Sequence, residues 1–374
     1  MTGPTKPYTP LPKPLEAVRR AAWNASVAVA ADRGIERMAL PPRKIFLEVT
    51  AHCNIKCPMC PVTTGLERPR GTMAYELFEK VLDDIAGKVP ELCLFLAGEP
   101  LLHKRIFDMI RAASDRGVYT TIHTNVMLLN DEKIARIFDS GLNELSFSFD
   151  GPTKERYDRV RVAGDYDKCI RLIRQVMQER RARKLTRPLT KIQIVYFDGE
   201  DPDDHRRQMR EIFGADLPDE MTVVPAHSWA GEFQDFLRYR ENVGDLDKLS
   251  ICRMPWDRMA ITWDGNVVGC CNDFLGKYHN GNVAKAPVLE VWNSPEYQKM
   301  RRLVHRKDYA ALPPCKDCDV PWAGDQPLTF WKRTAGSALR VGLIGWRGLS
   351  GATLPTDRPA PAEALEDSPN ESIG

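Results

Sequence analysis

The chain has 374 residues, 43% of them hydrophobic, which is enough for one large or two ordinary domains with a buried core. Its 53 basic and 51 acidic residues leave a net charge of +2 with the signs interspersed, which argues against nucleic acid or a membrane surface as partner. No apolar run approaches membrane-spanning length and no signal peptide is apparent, so the sequence reads as cytoplasmic.

Residues 1–14 are proline-rich, and residues 15–37 have helical spacing, with Ala, Val and Trp23 on one side and Arg19, Arg20 and Asp32 on the other. Together, 1–42 read as an N-terminal extension with a covering helix. From residue 44 strands and helices alternate. Strands are expected at 45–49, 92–96, 118–123, 145–149, 191–197 and 221–224. Helices are expected at 75–86, about 104–115, about 131–139, about 166–182 and about 203–213. Such alternation implies a parallel sheet with right-handed crossovers. Six units fall short of the eight that close a full barrel. The fold class expected is therefore α/β, a partial (β/α)6 TIM-like barrel over 43–235.

Past residue 236 the alternation stops. A strand-like run at 259–263, the turn Asp264-Gly265-Asn266 and the run 267–271 give a hairpin signal. Residues 287–304 look helical, and 236–330 read as a small C-terminal α+β domain. The tail, 331–374, has a short amphipathic piece to about 348 and is expected to be largely disordered after about 350.

Clustered cysteines in a cytoplasmic chain point to metal rather than to disulfides. Eight of the ten fall in three groups, 53/57/60, 252/270/271 and 315/318, while Cys93 and Cys169 sit alone in apolar segments and read as packing residues. Cys53, Cys57 and Cys60 follow the first strand. A structural zinc takes four ligands, and no fourth Cys or His follows at close spacing. Three thiolates can instead hold three irons of a four-iron cluster and leave the fourth open to a small molecule. In such folds chemistry gathers at the carboxyl ends of the strands. There the chain places Gly98-Glu99-Pro100, Thr124-Asn125 and Asp150-Gly151.

The C-x3-C-x2-C loop after the first strand of a six-unit barrel resembles the radical SAM superfamily, over about residues 43–230. The resemblance implies a [4Fe-4S] cluster on Cys53, Cys57 and Cys60 whose open iron binds S-adenosylmethionine (SAM). Reductive cleavage would then give a 5′-deoxyadenosyl radical that abstracts a substrate hydrogen. It also implies that Gly98, Glu99 and Pro100 receive the methionine amino group, that Ser148 and Asp150 contact the ribose, and that Arg161 reaches toward the SAM carboxylate. Asn125 is a looser match, and Met59 stands where the family often has an aromatic residue along the adenine.

Cys252, Cys270 (or its neighbour Cys271), Cys315 and Cys318 resemble the SPASM/Twitch extensions of these enzymes, which implies an auxiliary [4Fe-4S] cluster suited to electron transfer. A zinc ribbon on the same four cysteines fits the spacing less well. With no cysteine after Cys318, one auxiliary cluster is expected. His227, and after it His123, are the histidines best placed to face a substrate.

The function expected is that of an oxidoreductase on a sugar or aminocyclitol-like small molecule, fed by a flavodoxin- or ferredoxin-type electron donor. The alternative is a maturase that cross-links or epimerises a ribosomal peptide. The shortness of 1–42 as a leader-binding domain weighs mildly against it. A non-catalytic metal-binding protein is disfavoured by the intact Gly98-Glu99-Pro100.

Overall fold

The computed structural model describes residues 13–236 and 240–322; the expected tail at 331–374 lies outside them. Helix α1 spans Lys13–Asp32, shorter at its end than the sequence suggests. The following carbonyls are taken by side chains from the far end of the chain instead of by further helix. Trp256 Nε1 donates to Ile35 O at 2.7 Å and Arg301 Nη1 to Glu36 O at 2.7 Å.

The strands are β1 (Lys44–Leu47), β2 (Glu91–Cys93), β3 (Tyr119–Thr124), β4 (Glu144–Ser148), β5 (Leu189–Tyr196), β6 (Glu220–Pro225), β7 (Arg258–Ile261), β8 (Asn266–Val268) and β9 (His279–Asn282). They form one sheet in the order β6-β5-β4-β3-β2-β1-β7-β8-β9. Strands β1 to β6 pair in parallel, each with the next. Strand β7 is parallel to β1 on its other side, so Ile45 lies between Leu92 and Met259. Strands β8 and β9 are antiparallel additions. The sheet is an open, partial barrel, and it runs on across the division expected near residue 236.

Helices α2 (Tyr75–Ile85), α3 (Ile106–Asp115), α4 (Asp131–Asp139), α5 (Lys154–Val160), α6 (Tyr166–Ala182) and α7 (Pro202–Phe213) connect the parallel strands. In α2 the buried residues are Phe78, Val81, Leu82 and Ile85, the one-face spacing of a helix laid on a sheet. Asn130, Thr153 and Asp165 cap α4, α5 and α6 by accepting the backbone N–H three residues on. Short α5 has no apolar period long enough to be legible in sequence. The single helix expected over 287–304 is two, α8 (Val288–Val291) and α9 (Pro295–His305). Ser294 caps the second through the Tyr297 N–H at 3.1 Å, and Pro295 has no N–H with which to continue the first.

At the amino edge, the Arg43 guanidinium holds both Asp257 oxygens at 2.9 and 3.0 Å and Glu91 at 3.1 Å, tying β1, β2 and β7 at their starts. Cys93 and Cys169 are both buried. Among the described residues no helix is long and apolar enough to cross a membrane.

Asp219, just before β6, accepts from Arg180 at 2.7 Å and from the Thr190 amide and hydroxyl, both at 2.8 Å. Burial alone would raise its carboxyl, but these bonds outweigh it and hold the pKa at about 2. A carboxyl depressed from the ordinary value of about 3.9 lends stability that is present above that pH and lost as pH falls toward 2. Asp219→Asn is expected to lower Tm by roughly 2 °C at pH 7, with the gap to wild type closing between pH 4 and 2 in thermal melts. A gap that stays constant across that range would contradict the assignment.

Candidate active site at the carboxyl edge of the sheet

The loop bearing Cys53, Cys57 and Cys60 leaves the end of β1 and is pinned from several directions. Glu99 N–H donates to His52 O at 2.8 Å, and Lys56 N–H donates to Val162 O at 2.8 Å. Trp229 Nε1 donates to Met59 O at 2.8 Å. Asn125 Nδ2 donates to Asn54 Oδ1 at 2.9 Å and lies 3.7 Å from Cys53 Sγ. The Arg161 guanidinium lies 3.5 Å from Cys57 Sγ. Gly98 makes the closest approach. At φ +77° it is left-handed, and a Cβ there would sit 2.3 Å from Thr50 O and 2.7 Å from His52 O.

Glu99 is fully buried and binds the end of β2 to the end of β3. One oxygen accepts from the Leu101 N–H at 3.1 Å and the Thr124 hydroxyl at 2.9 Å, the other from the Asn125 N–H at 2.8 Å. A carboxylate offers about four acceptor positions, so one remains for a ligand N–H. Burial raises the Glu99 carboxyl, and these three bonds act against that. Just beyond, Val126 is held at φ +75°, an uncommon conformation for a β-branched residue.

Asp150, at the end of β4, is fully buried and engaged twice within the protein. It accepts from the Val195 N–H at 2.6 Å and pairs with Arg161. Burial works against the Arg161 charge, and the Asp150 carboxylate overcomes this and raises its pKa. Asp150 is thus the group that orients Arg161 against the cysteine loop. Ser148 stays on the cavity wall, joined by Gln193 from β5.

Cys53, Cys57, Cys60, Gly98, Glu99, Asn125, Ser148, Asp150 and Arg161 line one cavity of about 440 Å³, together with Met59, His123, His227 and Cys271. Pro100 is buried beside it at the start of a turn of 3₁₀ helix. Four aromatic rings line the cavity: Phe46, Phe95, Trp229 and Phe274. Phe95 stacks on His123 at 3.9 Å between centroids, and Trp229 stacks on Phe274 at 4.4 Å. Burial pushes His123 down to about 3, so it is a neutral ring and a weak base. His227 Nδ1 accepts the Trp229 N–H at 3.2 Å.

The C-terminal cysteines gather behind this wall. Burial raises Cys252, Cys270, Cys315 and Cys318, and each has other cysteines of the set among its charge neighbours. Cys270 Sγ accepts the Asn272 N–H at 3.4 Å. The strand expected to carry Cys270 and Cys271 ends at Val268, so the pair lies in a bend without strand alternation. Cys271 lines the cavity and neighbours Arg258, Cys252 and Cys318, whereas Cys270 neighbours Cys271, Cys315 and Cys318.

Among the described residues no three Cys, His or carboxylate side chains converge on a point as a single metal ion requires. Zinc would hold its sulfurs about 2.3 Å from one centre. Three thiols on one wall, with a carboxylate that has an acceptor position left, fit an open-iron cluster with an amino-bearing ligand. Burial holds Cys60 at about 12, so loading must expel the thiol protons.

Residues 47–212 match the family model of the radical SAM superfamily, and residues 252–319 that of an iron–sulfur cluster-binding domain. The chain is 27% identical, over 75% of its length and 88% of the relative's, to a tungsten-containing aldehyde ferredoxin oxidoreductase cofactor-modifying protein of Pyrococcus furiosus. A PqqA peptide cyclase of Rhodopseudomonas palustris is 31% identical over 40% of this chain and 38% of that one. Of solved structures, Streptococcus suis SuiB bound to precursor peptide SuiA aligns with a TM-score of 0.56, 15% identity, 74% of this chain and 70% of that one. BtrN in complex with AdoMet and 2-DOIA aligns with a TM-score of 0.51, 15% identity, 75% of this chain and 94% of that one. At such identity these two likenesses are of fold. The radical SAM domain brings SAM and a [4Fe-4S] cluster, and the second domain brings auxiliary iron–sulfur binding.

The aromatic wall was not legible in sequence. Phe46 and Phe95 look like ordinary strand residues until the curvature of the sheet turns them inward, and Trp229 and Phe274 carry no motif. Gly98→Ala is expected to destabilise the cluster-free chain by on the order of 2 kcal/mol and to lower iron uptake on reconstitution. Denaturant unfolding and iron assay check this, and an unchanged midpoint with full iron would contradict the close packing.

Proposed function

We propose, for a chain that belongs to the radical SAM superfamily and carries an iron–sulfur cluster-binding domain behind it, that the substrate is a peptide whose apolar or aromatic side chain is modified. The observation that carries this reading is the composition of the cavity wall. The charged groups lining it are Glu99, bonded to the end of β3, and Asp150 and Arg161, paired with each other beside the cysteine loop. The rest of the lining includes Phe46, Phe95, Trp229 and Phe274, the imidazoles of His123 and His227, the hydroxyls of Thr63 and Ser148 and the amides of Gln193 and Asn272. An aminocyclitol entering there would leave its ammonium and hydroxyls without charged partners, at a desolvation cost of a few kcal/mol. An aromatic or aliphatic side chain would be well packed. The likeness to a peptide cyclase and to a fold solved with a precursor peptide supports the same reading.

When bound, SAM and the reduced cluster supply a radical able to take hydrogen from an unactivated carbon. The chain's own residues would hold and shield it. Cys53, Cys57 and Cys60 would bind the cluster, Glu99 would take the methionine ammonium, and Arg161, oriented by Asp150, would sit against Cys57. The aromatic wall excludes water from the reaction space. Joining two side chains removes two hydrogens, and the second electron needs an acceptor. Cys252, Cys270, Cys315 and Cys318 are the residues that would hold one, as a single auxiliary cluster. A flavodoxin- or ferredoxin-type protein would supply the first electron.

A second reading, oxidation of a small-molecule alcohol, is favoured by the four-cysteine C-terminal set and by the fold likeness to BtrN with its small-molecule ligand.

Anaerobic reconstitution is expected to give roughly eight irons per chain. Cys315→Ala is expected to retain roughly four and still to release 5′-deoxyadenosine from SAM, whereas Cys57→Ala should release none. A Cys57→Ala protein that cleaves SAM would sink the mechanism. For substrate, mass spectrometry of a short peptide encoded beside the gene should show loss of two hydrogens. Turnover of sugar alcohols with no change in any peptide would favour the second reading.

The wall itself can be probed separately. Phe95→Ala is expected to raise KM for the peptide about tenfold, the effect of roughly one aromatic contact, while KM for SAM stays near wild type. A KM effect confined to SAM would move Phe95 to the cofactor side.

A further inference from the structure

The segment after β6 has a backbone that its sequence does not favour. Trp229, Ala230 and Gly231 are three consecutive left-handed residues, at φ +49°, +60° and +88°. Gly alone adopts that region freely, so Trp229 and Ala230 are held there by what surrounds them. The surroundings are the two cysteine loops. On one side, Trp229 Nε1 donates to the carbonyl of Met59, the residue before Cys60, at 2.8 Å. On the other, buried Ser228 donates to Asp319 Oδ1 at 2.7 Å, beside Cys318, and its hydroxyl oxygen accepts the Gly231 N–H at 3.2 Å. Gly231 lies so close to the turn between Cys315 and Cys318 that a Cβ would sit 2.4 Å from Asp317 O. The Trp229 ring is wedged between His227 and Phe274, at 3.9 and 4.4 Å between centroids. Phe274 is fixed in turn, its carbonyl accepting Arg68 Nε at 2.6 Å while the Arg68 guanidinium pairs with buried Glu48 beyond β1.

We propose that Trp229 is a positioning residue for the SAM-side cysteine loop, and that Ser228 to Gly231 form a strut through which the Cys315–Cys318 loop sets where Met59 and Cys60 stand. The inference rests on the two cysteine loops and not on the peptide reading. A strained segment anchored at both ends transmits displacement, because relaxing either anchor lets it move toward an ordinary conformation. The indole is also a cavity wall, and the two roles separate chemically. Phenylalanine keeps an aromatic wall but has no N–H for Met59.

The test uses the full chain and two substitutions. Trp229→Phe removes the bond to Met59, and Ser228→Ala removes the bond to Asp319, with the bond from the Gly231 N–H inside the strut, without touching the SAM-side loop. In the cluster-free protein, alkylation of Cys60 is read against Cys53 by mass spectrometry. In the reconstituted, reduced protein, the change in the paramagnetic resonance spectrum on adding SAM is read, since the SAM-side cluster alone responds to SAM. Both variants are expected to speed Cys60 alkylation roughly fivefold, the worth of one neutral hydrogen bond, and to alter the SAM-induced spectral change. Wild-type alkylation and spectrum in Trp229→Phe would overturn the positioning role and leave Trp229 a wall. An effect in Trp229→Phe with none in Ser228→Ala would overturn the strut. Should Trp229→Phe not fold, Ser228→Ala alone decides, because the proposal requires a SAM-side effect from a bond made only to the other loop.

Discussion

One buried carboxylate organises the site. Glu99 sits where β2 ends and uses three acceptor positions to fix its own turn and the end of β3. Its N–H reaches His52, so the same residue also fixes the entry to the cysteine loop. A buried acceptor left without these donors would be costly, by about 1–3 kcal/mol for each lost partner. The ends of three strands therefore take one relative arrangement. Gly98 makes this possible by letting backbone meet backbone with nothing between. Asn125 and Arg161, which approach the sulfurs, inherit their placement from that knot and from Asp150.

What the sequence disclosed follows from what has a period or a fixed spacing. The long helices α2, α4 and α6 were legible because their buried faces repeat every three to four residues, and the six parallel strands because they alternate with them. The C-x3-C-x2-C loop, Gly98-Glu99-Pro100 and Asp150 were legible as local patterns at strand ends. Partnership was not. Asp150 reads as a site residue at a strand end, but its pairing with Arg161 and the Val195 N–H has no local signal. His227 reads as a residue facing the substrate, and its Nδ1 accepts from a backbone N–H two residues on, a bond that no spacing announces. The aromatic wall is assembled from β1, the segment just after β2 and two loops near residues 229 and 274, and no local window contains it. The break between α8 and α9 was locally encoded, in Ser294-Pro295, and was masked by apolar spacing that continues across it.

The C-terminal cysteine region is continuous with the barrel's sheet. Strand β7 adds to β1 in parallel, and Arg43 locks their starts through Asp257. This fixes the second cysteine set against the back of the cavity through main-chain hydrogen bonds, a stiffer connection than a linker gives. The strut at 228–231 then spans two loops that are already held at a set separation.

That continuity bears on the order of events at synthesis. Strand β1 is central in the finished sheet, but its second neighbour, beginning at Arg258, is made roughly 200 residues after Lys44. At about 5–20 residues per second, the strand from which the Cys53–Cys60 loop springs has a bare edge for ten seconds or more as the chain emerges. An unpaired edge invites the wrong neighbour, and long-range parallel pairing is slow to form. The cysteine loop gains its last main-chain support, the bond from Glu48 N–H to Ile261 O, after β7 arrives. The iron-binding loop is thus among the first parts of the barrel to be made and among the last to be held in place.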